Sequence, residues 1–149
     1  MPGPTPEFEQ RLQEAFETLT EGQTFVFRRT FTAGDAALFC GVTGDFNLYH
    51  IDDTFARSSR FGRPIIPGLL TGSMLTHVGG LLGFLAIEMT FQFVAPVYVG
   101  DTITCTVTIV HKDPAKQLVV GAARFVNQDD VDVLRARFSG YPGQVRLAR

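Results

Sequence analysis

One apolar segment constrains the fold of this chain more than any other feature. Residues 65–87 (IIPGLLTGSMLTHVGGLLGFLAI) are 23 consecutive residues without Asp, Glu, Lys or Arg. Such a segment has to be buried, either in protein or in lipid. Gly68 and Gly72 form a GxxxG pair, which also occurs where membrane helices meet. The polar residues within the segment are poor neighbours for lipid, so we expect a helix buried in protein.

We expect this helix to begin at Pro67, because proline suits the first turn of a helix. Small side chains then recur every three or four residues on one face, at Gly68, Gly72, Thr76, Gly80 and Gly83. A face of this kind lets another backbone or a thin ligand approach closely. The opposite face is an ordinary apolar stripe, and we assign His77 to structure rather than to ligand binding.

The remainder of the chain predicts short helices and a sheet. Helical spacing or capping residues predict helices over residues 7–19, 33–42 and 52–58, the second with a capping box formed by Thr32 and Asp35. Alternating apolar residues predict strands over residues 23–31, 89–94, 101–111, 117–127 and 131–141, the last four as a meander. The fold class is therefore α+β, an antiparallel sheet of about five strands wrapped around a long central helix.

Length and composition narrow the class of protein. At 149 residues we expect a single domain over residues 1–149, with proline-containing residues 1–6 poorly ordered. A net charge of −2 and an isoelectric point near 5.9 argue against nucleic-acid binding and favour small-molecule partners. Cys40 and Cys105 match no metal spacing and are expected to be reduced and buried. The first ten residues do not resemble a signal peptide, which predicts a cytoplasmic protein.

Asp45 and His50 are the leading candidates for chemistry. A carboxylate and an imidazole five positions apart can both move protons near neutral pH. Taken singly, each has a plain structural explanation, Asp45 as a loop or cap residue and His50 as a surface histidine. Together, and directly ahead of the buried helix, they favour acid/base catalysis. No set of three His, Cys or carboxylate residues has the spacing of a metal site, so no metal is expected.

Three arginines follow this pair at intervals of three, namely Arg57, Arg60 and Arg63. They are either a solvated basic edge or a patch that binds the phosphates of a ligand.

Three segments resemble the MaoC-like dehydratases, the family of (R)-specific enoyl-CoA hydratases with the hot-dog fold. They are TGDFNLYHIDDTFA (residues 43–56), RFGRPIIPGLL (60–70) and FVAPVYVGD (93–101). The resemblance implies a hydro-lyase that adds water to an enoyl thioester, or removes it from a 3-hydroxyacyl thioester, without a cofactor.

The resemblance also implies residue roles. Asp45 and His50 would hold and activate the water, and the backbone N–H of Gly68 would receive the thioester oxygen. Asn47 would shape the loop, and Thr76 would line the site. The arginine set would suit coenzyme A or an acidic acyl carrier protein, and the exposed sheet edges favour a homodimer.

The sequence departs from the family pattern in three places. Leu48 replaces the proline of the usual D-x-N-P-x-H motif, and Pro67 replaces the histidine that usually precedes the helix glycine. The connection from the helix to the next strand is also unusually short. Two other functions stay open beside the hydratase: an acyl-CoA thioesterase on the same fold, and an acyl-binding partner subunit without catalytic activity.

Overall fold

The computed structural model describes residues 2–143. Its first helix, α1, spans Pro6–Thr18, and the side chain of Thr5 caps it by accepting a hydrogen bond from the N–H of Phe8. Pro6 and Thr5 suit these positions, because proline fits the first turn of a helix and threonine a cap. Met1 lies outside the described residues.

Ten further elements follow in chain order. They are β1 (Thr24–Thr30), α2 (Ala33–Thr43), α3 (Leu48–Ile51), α4 (Asp53–Ser58), α5 (Gly68–Gly72), α6 (Met74–Leu82), β2 (Leu85–Phe93), β3 (Thr102–Asp113), β4 (Leu118–Val126) and β5 (Asp132–Tyr141). The predicted α+β class and the hot-dog arrangement are confirmed. The capping box of Thr32 and Asp35 at the start of α2 is also confirmed.

The five strands form one antiparallel sheet in the order β1-β3-β4-β5-β2. The prediction of a four-stranded meander is wrong for β2, which pairs with β5 and not with β3. The reason is the link between β2 and β3, residues 94–101, which is too long for a tight hairpin. Its backbone instead bonds to Ile66, Val133 and Phe31.

The central helix is shorter than expected and is divided in two. Ser73 separates α5 from α6, and α6 ends at Leu82 because Gly83 adopts a left-handed conformation with φ of 55°. Residues 85–87 therefore belong to β2 and not to the helix. Gly83 and Phe84 alone connect helix to strand, which matches the short connection seen in the sequence.

The two helices and the sheet enclose a single cluster of buried apolar side chains. Met74, Val78 and Leu82 of α6 belong to it, together with Ile103 of β3 and Phe125 of β4. Burying such side chains contributes about 1.5–3 kcal/mol each. The buried helix predicted from residues 65–87 is thus present, although the same segment also supplies the start of β2.

The glycine face of the helix receives aromatic rings and not a second backbone. A Cβ at Gly68 would lie 2.5 Å from the ring of Phe93, and one at Gly72 would lie 2.8 Å from the ring of Phe91. Because both rings come from β2, the two glycines allow the aromatic side chains of this strand to pack directly against the backbone of α5. No helix among residues 2–143 is long and apolar enough to cross a membrane.

The three histidines have different surroundings. His77 is exposed on α6 and stacks on Phe27 of β1, with ring centroids 3.9 Å apart, so it lies at the surface and not in the apolar core. His111 is exposed and lies 3.1 Å from a carboxylate oxygen of Glu21. Only His50 among them has a largely buried side chain that meets a carboxylate beside a cleft.

Candidate active site

A short helix that the sequence did not predict carries His50. Asn47 caps α3, because its side-chain oxygen accepts a hydrogen bond from the N–H of Tyr49 at 3.3 Å. Asp45 precedes it in an Asx turn, with its Oδ1 accepting from the N–H of Asn47 at 3.3 Å. Asparagine and aspartate both favour such turns. The role of Asn47 in this structure is therefore to shape the segment that presents His50.

A backbone carbonyl fixes the orientation of the His50 ring. Its Nδ1 lies 2.7 Å from the carbonyl oxygen of Ile65, and 11% of the side chain is exposed. A carbonyl oxygen only accepts hydrogen bonds, so Nδ1 carries the proton. In the neutral ring Nε2 then has a free lone pair, which is the arrangement a general base requires.

Asp45 faces that free nitrogen. Its Oδ2 lies 3.8 Å from Nε2 of His50, and 44% of its side chain is exposed. This separation is too long for a direct hydrogen bond but is spanned readily by one water that contacts both groups. The pair can thus hold a water molecule between an acceptor nitrogen and a carboxylate.

Both side chains open into a cleft of about 550 Å³. Its walls are mainly apolar and come from α2, the segment before α5, α5 itself, β2 and the residues around Val133. The polar or charged residues among them are Thr43, Asp45, His50, Arg60 and Thr71. A mostly apolar cleft with a few convergent polar groups is typical of a small-molecule site.

Gly68 lies in the wall of this cleft at the first position of α5. The carbonyl oxygen of Pro67, the preceding residue, accepts hydrogen bonds from the N–H groups of Leu70 and Thr71. Within residues 2–143, no acceptor pairs with the N–H of Gly68 itself. A free donor at a helix start, without a Cβ to shield it, can bind a ligand oxygen.

A buried carboxylate stabilises the backbone that orients His50. Asp101 is 6% exposed and accepts hydrogen bonds from the N–H of Tyr98 at 2.9 Å and from the side chain of Gln128 at 3.0 Å. Tyr98 in turn forms an isolated antiparallel bridge with Ile65, whose carbonyl bonds to the His50 ring. Asp101 therefore acts on the site indirectly, through two stretches of backbone.

The three arginines are not equivalent. Arg60 lines the cleft, and its guanidinium lies 4.8 Å from the ring centre of Phe61. Arg63 lies 4.1 Å from the ring centre of Tyr98, outside the cleft wall. Arg57 is exposed on α4. Only Arg60 therefore joins Asp45 and His50 at the cleft.

Thr76 does not lie with the other candidates. It is exposed on α6, outside the cleft wall, and its hydroxyl donates to the carbonyl of Ser73 at 2.6 Å. The threonine of the central helices that does line the cleft is Thr71, which the sequence did not single out. The only feature of the sequence that could have indicated Thr71 is that it carries a hydroxyl group within an apolar segment. The contribution of the Ile65 carbonyl had no sequence signal, because every residue carries one.

Comparison with protein families gives an independent result. The family model described as "MaoC like domain" matches residues 15–130. An (R)-specific enoyl-CoA hydratase from Rhodospirillum rubrum is 32% identical over 108 residues, which is 70% of this chain and 75% of that protein. An (R)-specific enoyl-CoA hydratase from Aeromonas caviae is 30% identical over 116 residues, or 75% of this chain and 87% of that protein.

Solved structures agree with these sequence matches. The (R)-hydratase from A. caviae superimposes with a TM-score of 0.81 at 27% identity, covering 85% of this chain and 98% of that one. An R-hydratase from Pseudomonas aeruginosa has a TM-score of 0.81 at 26% identity, covering 90% of this chain and 91% of that one. The architecture and the chain order are thus shared over nearly the whole of both relatives.

Proposed function

This chain belongs to the MaoC-like domain family, and from that premise we propose that it is an (R)-specific enoyl-CoA hydratase. It adds water to the double bond of a 2-enoyl thioester, or removes water from the 3-hydroxyacyl thioester. The observation that carries the proposal is the joint opening of Asp45, His50 and Gly68 into one apolar cleft. The relatives named (R)-specific enoyl-CoA hydratase support it.

The thioester oxygen binds the N–H of Gly68. The β-carbon of an enoyl thioester becomes electrophilic only as negative charge collects on this oxygen. A donor aimed at such an oxygen is typically worth about 2.7–4 kcal/mol in the transition state. The apolar walls around it exclude bulk water and so strengthen this interaction.

Water adds between the two polar side chains. It is held by Asp45 and by Nε2 of His50, and its oxygen forms the new bond to C3. One water proton passes to Nε2 as the carbon–carbon double bond opens, and C2 takes a proton from the protonated pair. The net result is the addition of H and OH with the thioester bond intact. Each acid/base role typically contributes about 10²–10⁴-fold in rate.

The carrier end of the substrate lies toward Arg60. A guanidinium at the cleft wall suits the phosphates of coenzyme A or the acidic surface of an acyl carrier protein. Arg57 and Arg63 are outside this wall, and Arg63 is already stacked on Tyr98, so their contribution to carrier binding is smaller.

A homodimer is the second part of the proposal. Strand β2 is at the edge of the sheet and pairs with β5 alone among the described strands. It exposes large apolar side chains, with exposed fractions of 74% for Leu85, 60% for Ile87 and 56% for Phe93. Exposed apolar edge strands favour pairing with another strand. Light scattering after size-exclusion chromatography tests this, and a monomer at micromolar concentration would contradict it.

The activity is tested with crotonyl-CoA. Hydration predicts loss of the enoyl absorbance without release of free thiol, and the product should be oxidised only by a dehydrogenase specific for (R)-3-hydroxyacyl-CoA. Thiol release with an unchanged double bond would instead indicate the thioesterase. Product of (S) configuration would contradict the stereochemical part alone.

Substitution of the two polar side chains tests their roles. Asp45→Asn and His50→Gln should each lower kcat by at least about a hundredfold, since each removes an acid/base group. Both should keep the circular dichroism spectrum of the parent, because Asp45 is half exposed and His50 contributes one backbone contact. Parental turnover in either variant would remove that residue from the mechanism. Glu7→Gln, an exposed carboxylate on α1 far from any proposed role, serves as the surface control.

A further inference from the structure

Thr71 has a buried hydroxyl group without a partner in the protein. The residue is 1% exposed, and its Oγ1 is the one buried side-chain polar atom among residues 2–143 that lacks a hydrogen bond. Leaving a buried hydroxyl unpaired is destabilising. Valine has the same shape without the hydroxyl, so a purely structural position of this kind would favour valine. A ligand that supplies the missing partner would explain the threonine.

The usual local partner is not used here. A threonine within a helix commonly bonds to the carbonyl four residues before it. That carbonyl belongs to Pro67 and instead accepts the N–H groups of Leu70 and Thr71, at 3.0 and 3.2 Å. The hydroxyl of Thr76, in contrast, is engaged with Ser73. The two threonines of the central helices therefore differ in whether their hydroxyl is available.

The position of Thr71 directs its side chain toward the proposed thioester site. Side chains in an α-helix lean toward the helix N-terminus, over the residue three or four positions earlier. For Thr71 these positions are Gly68 and Pro67, and Gly68 has no side chain. Thr71 and Gly68 both line the cleft that contains Asp45 and His50.

We infer that Thr71 is a second hydrogen-bond donor to the carbonyl oxygen of the bound thioester, beside the N–H of Gly68. The inference rests on the proposed function for the identity of the ligand. It replaces Thr76 by Thr71 as the threonine that contacts substrate.

Two variants separate the hydroxyl from the methyl group. Thr71→Val removes the hydroxyl and keeps the shape, whereas Thr71→Ser keeps the hydroxyl. The expected result for Thr71→Val is a kcat/KM for crotonyl-CoA about tenfold lower than that of the parent, which is the scale of one hydrogen bond. Its Tm should be equal to or above that of the parent, because no protein partner is lost. Thr71→Ser should restore most of the activity.

The carbonyl stretch of the bound thioester tests the contact itself. Crotonyl-CoA labelled with carbon-13 at the carbonyl is bound to the Asp45→Asn variant, which slows turnover, and its infrared difference spectrum is recorded. Each hydrogen bond lowers the stretching frequency, so adding Thr71→Val should shift the band back toward that of free thioester. Thr18→Val, a helical threonine of α1, is the control and should leave the band unchanged.

Several outcomes would overturn the inference. One is a Thr71→Val variant with the kcat/KM of the parent, and another is a Thr71→Val variant whose Tm is below that of the parent. The third is a Thr71→Ser variant whose activity is as low as that of Thr71→Val.

Binding of butyryl-CoA, which cannot be hydrated, separates this inference from the proposed function. A parent that binds butyryl-CoA about tenfold more tightly than Thr71→Val but hydrates nothing would support Thr71 and contradict the hydratase. A parent that binds no butyryl-CoA would overturn both.

Discussion

Substitution of Gly68 by alanine should damage the site more than the fold. The new Cβ would lie 2.5 Å from Cε1 and 2.8 Å from Cδ1 of Phe93, distances at which something has to move. Overpacking of this kind costs about 1–3 kcal/mol in a closed core. The Phe93 ring is 56% exposed and can swing outward, so we expect a loss of unfolding free energy near the low end, about 1 kcal/mol.

Gly68→Ala should lower the catalytic activity more than it lowers the stability. Gly68 and Phe93 both line the cleft, so the displaced ring and the added methyl group both change the surroundings of the proposed thioester site. Alanine keeps the backbone N–H, so the loss comes from keeping the thioester oxygen out of its reach, and complete loss of that contact would lower kcat about 10²–10³-fold. We therefore expect kcat/KM for crotonyl-CoA to fall by about a hundredfold, with Tm lowered by about 2–4 °C.

Gly72→Ala is the matched control. A Cβ there would lie 2.8 Å from the ring of Phe91, a similar clash one turn further along, but Gly72 is outside the cleft wall. It should cost about 1–3 kcal/mol of stability and leave the activity of the folded protein largely unchanged. Combining Gly68→Ala with Phe93→Leu should recover part of the activity by removing ring atoms. A fully active Gly68→Ala, or equal losses in both alanine variants, would refute the reasoning.

Three further predictions concern residues outside the cleft. The hydrogen bond from the Thr32 backbone holds the pKa of Asp35 below its ordinary 3.8, so its stabilisation is present above that pH and is lost as the pH falls through the lowered pKa. Denaturant unfolding of Asp35→Asn should accordingly show a weaker acid dependence between about pH 5 and 2 than the parent. Burial raises the pKa of the Cys105 thiol to about 12, so the native protein should leave it unlabelled by a thiol reagent at pH 8, whereas labelling at the denatured rate would contradict this. Asp101→Ala should destabilise by about 1–3 kcal/mol, because the partly buried N–H of Tyr98 loses its acceptor, and a parental denaturation midpoint would show that the contact is replaceable.

The local features of the fold were predictable because their causes are close in sequence. The capping box of Thr32 and Asp35 and the alternation in β3 and β4 are properties of a few neighbouring residues, and each appears as expected. The order of the strands was not predictable from the sequence, because the pairing of β2 with β5 depends on the path of residues 94–101 across the molecule.

The site was predictable only where it depends on side-chain type. Asp45 and His50 stand out in any sequence as a carboxylate and an imidazole at close spacing, and the structure brings them to one cleft with Gly68. The carbonyl of Ile65 that sets the histidine tautomer is a backbone atom, and so it leaves no trace in composition or spacing.

The positions of Thr71 and Thr76 on the central helices determine which of them lines the cleft. Thr76 falls on the same helical face as Gly68 and Gly72, but the break at Ser73 and the aromatic rings of β2 leave it outside the cleft. The single domain over residues 1–149, the cytoplasmic location and the homodimer stay predictions.

The most direct test of the account is the fate of oxygen from water. The protein is incubated with crotonyl-CoA in water enriched in oxygen-18, and the products are separated and weighed by mass spectrometry. We expect intact 3-hydroxybutyryl-CoA that carries one heavy oxygen, formed by the parent and not by His50→Gln. Free coenzyme A together with crotonate that carries the heavy oxygen would contradict it, because the water would then have attacked the thioester carbon.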